Sequence, residues 1–170
     1  MTNTTARQDA LAEESAQCLS WSIKASFLQY LDTIEDFSID ARDGARHDTG
    51  SRSFLFPLTA REALLQGGVR LKFGGQVRLK AHGGMLLLIL MDPWLELSAA
   101  GTELSVVDLM SWPDTTRREL IGWSAERPLA AGRELVEVPL QLADSGVEMF
   151  NGVYPAGTDL APARFSTLWP

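Results

Sequence analysis

A strictly alternating pattern around a glycine pair decides the fold class, in the stretch Val69-Arg70-Leu71-Lys72-Phe73-Gly74-Gly75-Gln76-Val77-Arg78-Leu79-Lys80-Ala81. A two-residue period of apolar and polar side chains is typical of a strand with one buried and one solvent-facing side. The glycine pair tolerates the positive φ angles that a tight two-residue turn requires. The stretch therefore predicts an antiparallel hairpin made of residues 69–73 and 77–81.

The sequence on either side of this stretch extends the β pattern. His82-Gly83-Gly84 predicts a second tight turn, and Met85–Met91 is apolar throughout, as in a strand buried on both faces. Ser53–Leu58 predicts an earlier strand that ends at Pro57 and its neighbours. Further strands, separated by turns with glycine or proline, are predicted at Trp94–Leu97, Thr102–Val107, Glu119–Glu126 and Leu135–Leu142.

Two segments depart from the strand period and predict short helices. Residues 19–23 alternate like a strand, but the apolar spacing then becomes three and four, which predicts a helix at about residues 24–33 with Tyr30 on the same face as Phe27. Residues 143–150 predict a second helix that Asn151-Gly152 terminates. Short strands with few helices predict a mainly β fold, either an antiparallel β-sandwich or a curled sheet with one or two short helices.

Length and charge limit the function classes. The chain has 170 residues, which predicts a polar lead-in at residues 1–17 and a single domain at residues 18–170. Its 22 acidic and 15 basic residues give a net charge of −7, which argues against a nucleic-acid surface. The longest apolar run is too short for a transmembrane segment. Residues 1–9 lack the pattern of a signal peptide, so a cytoplasmic location is expected. Cys18 is expected to be a small buried side chain.

The motifs of several enzyme classes are missing. The sequence has no glycine-rich phosphate loop, no zinc-spaced Cys or His pair and no nucleophile elbow. His47, in the polar loop of residues 43–51, is interpreted as a surface residue. Tyr154–Gly157 predicts a turn. From the residue pattern alone, each remaining amphipathic group has an ordinary packing or turn role; these groups are Tyr30, His82, Phe150, Tyr154 and the five tryptophans.

Four blocks taken in order carry a family resemblance. They are Leu19-Ser20-Trp21-Ser22-Ile23-Lys24-Ala25-Ser26-Phe27-Leu28-Gln29-Tyr30, Phe54-Leu55-Phe56-Pro57, the hairpin and turn at residues 73–94, and Phe150-Asn151-Gly152-Val153-Tyr154-Pro155-Ala156-Gly157-Thr158. Together they cover about residues 18–165 and resemble the HtaA-type haem-binding domains of actinobacterial haem uptake. The agreement lies in the order of the blocks and in their aromatic, glycine and proline positions.

The resemblance implies a protein that holds ferric haem b and passes it on, in transport, trafficking or buffering. It implies that Tyr30 is the axial ligand of the iron and that His82 supports it. Tyr154 matches a third family position, and Phe150 is expected to pack near the porphyrin. The implied partners are haem and other haem-transfer proteins, and a homo-oligomer is compatible with this role.

The implied chemistry is sound, but other functions stay open. Ferric iron favours a hard anionic oxygen, tyrosine is a known haem ligand, and a hydrogen bond from His82 would orient the phenolate. The alternative is an enzyme or carrier for another flat apolar ligand, such as a steroid or polyketide, with Tyr30 and His82 as a polar or acid/base pair. A third hypothesis is an interaction domain without a small ligand. A binding role is favoured over an enzymatic one.

Overall fold

Antiparallel strands dominate the computed structural model, which describes residues 17–128 and 135–166. The predicted lead-in at residues 1–17 lies outside the described residues except for its last position. The described strands are β1 (Cys18–Trp21), β2 (Ser38–Arg42), β3 (Arg46–Asp48), β4 (Ser53–Ala63), β5 (Val69–Phe73), β6 (Gln76–Ala81), β7 (Leu86–Met91), β8 (Trp94–Ser98), β9 (Gly101–Val107), β10 (Arg118–Ser124), β11 (Val136–Leu142) and β12 (Asp159–Phe165). The described helices are α1 (Ala25–Asp32) and the 3₁₀ helices His82–Gly84, Leu109–Ser111 and Asp144–Phe150.

Eight of the strands form a closed, barrel-like ring. Their order is β1-β12-β11-β10-β9-β8-β5-β4, and β4 pairs again with β1. β3 pairs with the first three residues of β4, Ser53, Phe54 and Leu55. Every pairing is antiparallel. Because the ring is closed, each of its eight strands pairs with a neighbouring strand on both sides. The predicted mainly β, antiparallel fold with a curled sheet and short helices is confirmed. The sheet curls far enough to close on itself.

A second, three-stranded sheet in the order β2-β6-β7 shares the core with the ring. Its inward side chains include Leu79, Leu88 and Leu90, which are buried in the same cluster as Leu71 and Leu95 of the ring. Burial of apolar area of this kind stabilises a fold by about 25 cal/mol per Å². No helix in the described part of the chain is long and apolar enough to cross a membrane.

The helix α1 presents Tyr30 at the edge of the core. Phe27, Leu28 and Leu31 are buried on one side, as the helical spacing predicts. At its end, the backbone N–H and the hydroxyl of Thr33 donate to the carbonyl oxygen of Tyr30 at 3.1 and 2.7 Å. The side chain of Tyr30 stays 49% exposed. The helix therefore presents the phenol of Tyr30 to solvent at the edge of the core.

The predicted hairpin at Gly74-Gly75 is wrong. β5 pairs with β4 on one side and β8 on the other, and β6 pairs with β2 and β7 in the second sheet. The glycine pair instead carries the chain from one sheet to the other. Gly75 has φ +114°, and a Cβ there would lie 2.5 Å from the backbone nitrogen of Ala45. At this crossing the Asp92 N–H donates to the Gly75 carbonyl, and the Gly75 N–H donates to the Asp92 carboxylate, both at 2.9 Å. Both edges of β5 are already paired, so β6 cannot join it.

Two further predictions about strands need correction. β4 does not end at Pro57 but continues to Ala63, because the Pro57 carbonyl still accepts the N–H of Gly74 at 2.9 Å and only the proline N–H is missing from the ladder. β7 is not buried on both faces. It pairs only with β6, and Leu87 is 52% exposed. β7 is the edge strand of a small sheet, so one of its faces meets solvent although its sequence is apolar.

The polar segment of residues 43–51 contains a strand that the sequence pattern did not reveal. β3 lies within it, and His47 is half-buried, with its ring stacked on Phe54 at 5.1 Å between centroids. The interpretation of His47 as a loop surface residue is therefore corrected. β2 and β12 were also missed: Ser38–Arg42 alternates but is only five residues long, and Pro162 interrupts the pattern of Asp159–Phe165.

Other expectations are confirmed. The His82-Gly83-Gly84 turn closes the antiparallel hairpin of β6 and β7. The 3₁₀ helix of residues 144–150 ends at Asn151, which has a left-handed backbone. Cys18, the single cysteine of the sequence, is buried as expected. The strands predicted at residues 94–97, 102–107, 119–126 and 135–142 correspond to β8, β9, β10 and β11.

Candidate functional site

An apolar cavity of about 680 Å³ lies beside α1, a volume typical of sites for small molecules. Three segments form its walls: α1, the turn between β6 and β7, and the end of the 3₁₀ helix of residues 144–150 with the loop that follows. The lining residues are Phe27, Tyr30, His82, Met85, Leu86, Met149, Phe150, Asn151, Val153 and Tyr154. The structure thus brings all four predicted site residues to one cavity, although their roles stay predictions.

Tyr30 and His82 form the polar contact of this cavity. The phenol oxygen of Tyr30 lies 2.9 Å from Nε2 of His82, across a separation of 52 residues in the chain. Either atom can donate when the phenol is neutral, depending on the tautomer of the imidazole. When the phenol is ionised, only the imidazole can donate. In either case the contact orients the Tyr30 oxygen towards the imidazole at the cavity.

Asp36 holds the turn that carries His82. Its carboxylate accepts the backbone N–H of His82 at 2.9 Å and that of Gly83 at 2.5 Å. The bonds from Gly83 and His82 lower the pKa of Asp36 below its ordinary value of 3.8. His82 has φ +53°, a conformation that costs a non-glycine residue energy and so needs support. Asp36 was missed in the sequence, because no local pattern links it to a turn 46 residues away.

The titration of Asp36 should be visible at the turn. A lowered folded pKa means that the carboxylate stabilises the turn above pH 3.8 and that this contribution is lost as the pH falls through the lower, folded value. We expect the amide protons of His82 and Gly83 to shift together in an NMR pH titration, with a midpoint below 3.8. In Asp36→Asn that titration should vanish. A midpoint above the ordinary value would contradict the assigned contacts.

Three aromatic rings form another part of the cavity lining. The rings of Phe27, Phe150 and Tyr154 meet edge to face, with centroid distances of 5.3, 5.8 and 6.2 Å. The ammonium of Lys24 lies 5.4 Å from the centroid of the Tyr154 ring. Edge-to-face packing of this kind fixes the rings against one another. These rings therefore form a preformed apolar part of the cavity lining.

Several lining residues were not found by sequence reasoning. Met85 and Leu86 follow the predicted turn directly, and Met149 precedes Phe150. Their positions next to predicted residues were the only available signal, and strand or helix periodicity explained each of them as packing. Within residues 17–128 and 135–166, no group of three His, Cys, Asp or Glu side chains could hold a bare metal ion. The oxygen- and nitrogen-bearing side chains that line this cavity are instead the phenols of Tyr30 and Tyr154, the imidazole of His82 and the amide of Asn151, and Tyr30 is the phenol that contacts the imidazole.

Comparisons with known proteins agree on one family. The HtaA family model matches residues 16–166. The C-terminal domain of HtaA from Corynebacterium glutamicum has 21% identity and a TM-score of 0.69, covering 86% of this chain and 92% of that chain. The N-terminal domain of the same protein has 18% identity and a TM-score of 0.68, covering 90% and 97%. The haem-binding protein HtaB from that organism has 19% identity and a TM-score of 0.59, covering 86% and 89%. No curated protein matches the chain.

Proposed function

The chain belongs to the HtaA family, and we propose that it binds ferric haem b through Tyr30 and passes the haem to another protein. The observation that carries this proposal is the 2.9 Å contact between the Tyr30 oxygen and the His82 imidazole at an apolar cavity. HtaB, a structural neighbour, is itself a haem-binding protein.

The donor set of the cavity fits the iron. A phenolate oxygen has more than one lone pair, so the Tyr30 oxygen can bind iron while it accepts the N–H of His82. The iron cation favours the ionised phenol, and ferric iron prefers such a hard oxygen ligand. Asp36 keeps His82 in place for this hydrogen bond through the backbone of the turn. The three residues thus have separate tasks of ligation, orientation and support.

The apolar walls fit the porphyrin. Phe150 and Tyr154 offer fixed ring surfaces, and Met149 and Val153 complete that side of the cavity. A flat macrocycle buried against them would gain about 25 cal/mol for each Å² of apolar surface removed from water. Tyr30 would thus supply the iron ligand, and the aromatic and apolar side chains of the same cavity would supply packing.

The openness of the site supports transfer rather than permanent retention. Met85 is 86% exposed and Val153 is 69% exposed, so the rim of the cavity is accessible to a second protein. Phenolate ligation also favours ferric over ferrous iron, so reduction would weaken the bond. A cargo held by one ligand at an open rim can leave without unfolding of the carrier.

A spectroscopic titration tests the proposal directly. Purified protein mixed with ferric haem should show a Soret band and the charge-transfer bands of phenolate ligation, with saturation at one haem per chain. Loss of these bands on reduction by dithionite is expected for a ligand that prefers ferric iron. If haem causes no spectral change while a steroid- or polyketide-like ligand binds, the alternative of a carrier or enzyme for another flat molecule replaces this one.

His82 should control how fast haem leaves. Its removal deletes the hydrogen bond to the ligand oxygen, and the loss of such a supporting contact typically costs about 10- to 100-fold in affinity. We expect haem transfer to apomyoglobin to be faster by about that factor in His82→Gly. Glycine is the informative replacement because it accepts the positive φ of this position and so leaves the turn unstrained. An unchanged transfer rate would remove His82 from the mechanism.

A further inference from the structure

A second cavity, of about 490 Å³, lies on the outer face of the ring and shares no lining residue with the first. Its floor crosses β5, β8, β9 and β10. The loop between β4 and β5 borders it with Leu64 and Leu65, and Trp123 of β10 lines it with Leu120. Leu65 is fully exposed and Trp123 is 42% exposed, so apolar surface is open to solvent here.

A row of charges runs across the strands beneath this cavity. The register places Glu62 opposite Arg70, Arg70 opposite Glu96, Glu96 opposite Glu103, and Glu103 opposite Trp123. Arg70 bridges its two neighbours, at 3.3 Å to Glu62 and 2.7 Å to Glu96. The row therefore alternates in sign up to Glu96 and then breaks, because Glu103 repeats the negative charge.

The break leaves Glu103 without compensation. Like charges directly opposite on neighbouring strands are destabilising. In the part of the chain that the structure describes, the side chain of Glu103 has no hydrogen bond or ion pair, and no cation lies over the Trp123 ring. Trp94 on the same face differs, since Arg118, Lys72 and Arg70 lie 4.0, 4.5 and 4.9 Å from its ring centre. A carboxylate without an ion pair and an indole without a cation over it thus stand opposite each other on β9 and β10.

We propose that this cavity binds an arginine side chain of a partner protein, with the guanidinium between the Glu103 carboxylate and the Trp123 ring. A planar guanidinium can stack on an indole and pair with a carboxylate through two N–H groups, which an ammonium cannot do. The cavity has room beyond the cation, and Leu64, Leu65 and Leu120 suit apolar residues next to the arginine. The match in charge and apolar character points to a peptide segment rather than a free ion.

The probe is the peptide acetyl-Leu-Arg-Leu-amide, titrated into ¹⁵N-labelled full-length protein. We expect a saturable shift of the Trp123 indole N–H, which is identified by its disappearance in Trp123→Phe. Glu103→Gln should weaken binding about 10-fold or more, because a charge-assisted hydrogen bond is lost. Glu137→Gln is the matched control, since it makes the same charge change on the same sheet outside the cavity and should leave the affinity unchanged.

The peptide with citrulline in place of arginine separates charge from apolar packing. It keeps the shape and removes the positive charge, so it should give no saturable shift. Equal binding of the two peptides, or an unchanged affinity in Glu103→Gln, would overturn the proposal. The far-UV circular dichroism spectrum of Glu103→Gln serves as the folding check, and the two cavities share no lining residue. Failure here would thus leave the proposed haem function untouched.

Discussion

Replacing Tyr30 by phenylalanine is expected to lower the affinity for ferric haem by more than about 100-fold, because loss of a mere supporting contact already costs about 10- to 100-fold. The substitution removes one oxygen atom and keeps the ring that lines the cavity. Packing of the porphyrin is therefore retained, and the whole change reports on ligation. The charge-transfer bands of the phenolate should disappear in the same spectrum.

Tyr154→Phe is the matched control for this experiment. Tyr154 lines the same cavity and also carries a phenol, but its ring is held by Phe27 and Phe150 rather than by His82. We expect its haem spectrum to keep the phenolate bands. If Tyr154→Phe loses them and Tyr30→Phe does not, the ligand is the other tyrosine and the assignment of Tyr30 is wrong.

Replacing Trp21 by alanine should produce the largest loss of stability. Trp21 is 2% exposed, and its indole Nε1–H donates to the carbonyl of Ala161 at 2.8 Å. Truncation of a buried Trp or Phe costs about 3–5 kcal/mol, and part of that cost is a carbonyl left without its donor. We expect the free energy of unfolding, measured by urea denaturation with circular dichroism, to fall by that amount.

Trp123→Ala is the control for stability, because Trp123 has the same side chain on the outer face of the ring and is 42% exposed. Surface substitutions usually change stability by about 0.5 kcal/mol or less. If both variants lost a similar amount of unfolding free energy, the burial of Trp21 would not explain its contribution to stability. A fall below about 1 kcal/mol for Trp21→Ala would contradict the close packing at this position.

The sequence predicted secondary structure well wherever the pattern depended on neighbouring residues. Alternation located most strands, helical spacing placed Tyr30 beside Phe27, and Asn151 marked the end of a 3₁₀ helix. The family blocks selected Tyr30, His82, Phe150 and Tyr154, which the structure places around one cavity. These signals suffice because each depends on residues a few positions apart, or on the order of blocks that resemble the family.

The sequence pattern could not predict which distant strands pair with each other. The alternation at residues 69–81 predicted two strands correctly but not their partners, because β5 and β6 belong to different sheets. Nothing local shows that both edges of β5 are occupied by β4 and β8. The same limit hid Asp36, whose link to the His82 turn exists only after the chain has folded. The break in the charge row at Glu103 likewise appears only once the register is known.

Closure of the ring also has a consequence for the rate of folding. Ser20 of β1 pairs with Arg164 of β12, so the contact that completes the ring joins residues at opposite ends of the described chain. Contacts of such long sequence separation raise the contact order and slow folding, since most of the chain entropy is lost before they form. During synthesis, β1 meets β4 early but waits for β12 until nearly the whole domain has been made. The apolar side of β1 is therefore exposed to other chains for longest, and refolding yield should fall as protein concentration rises.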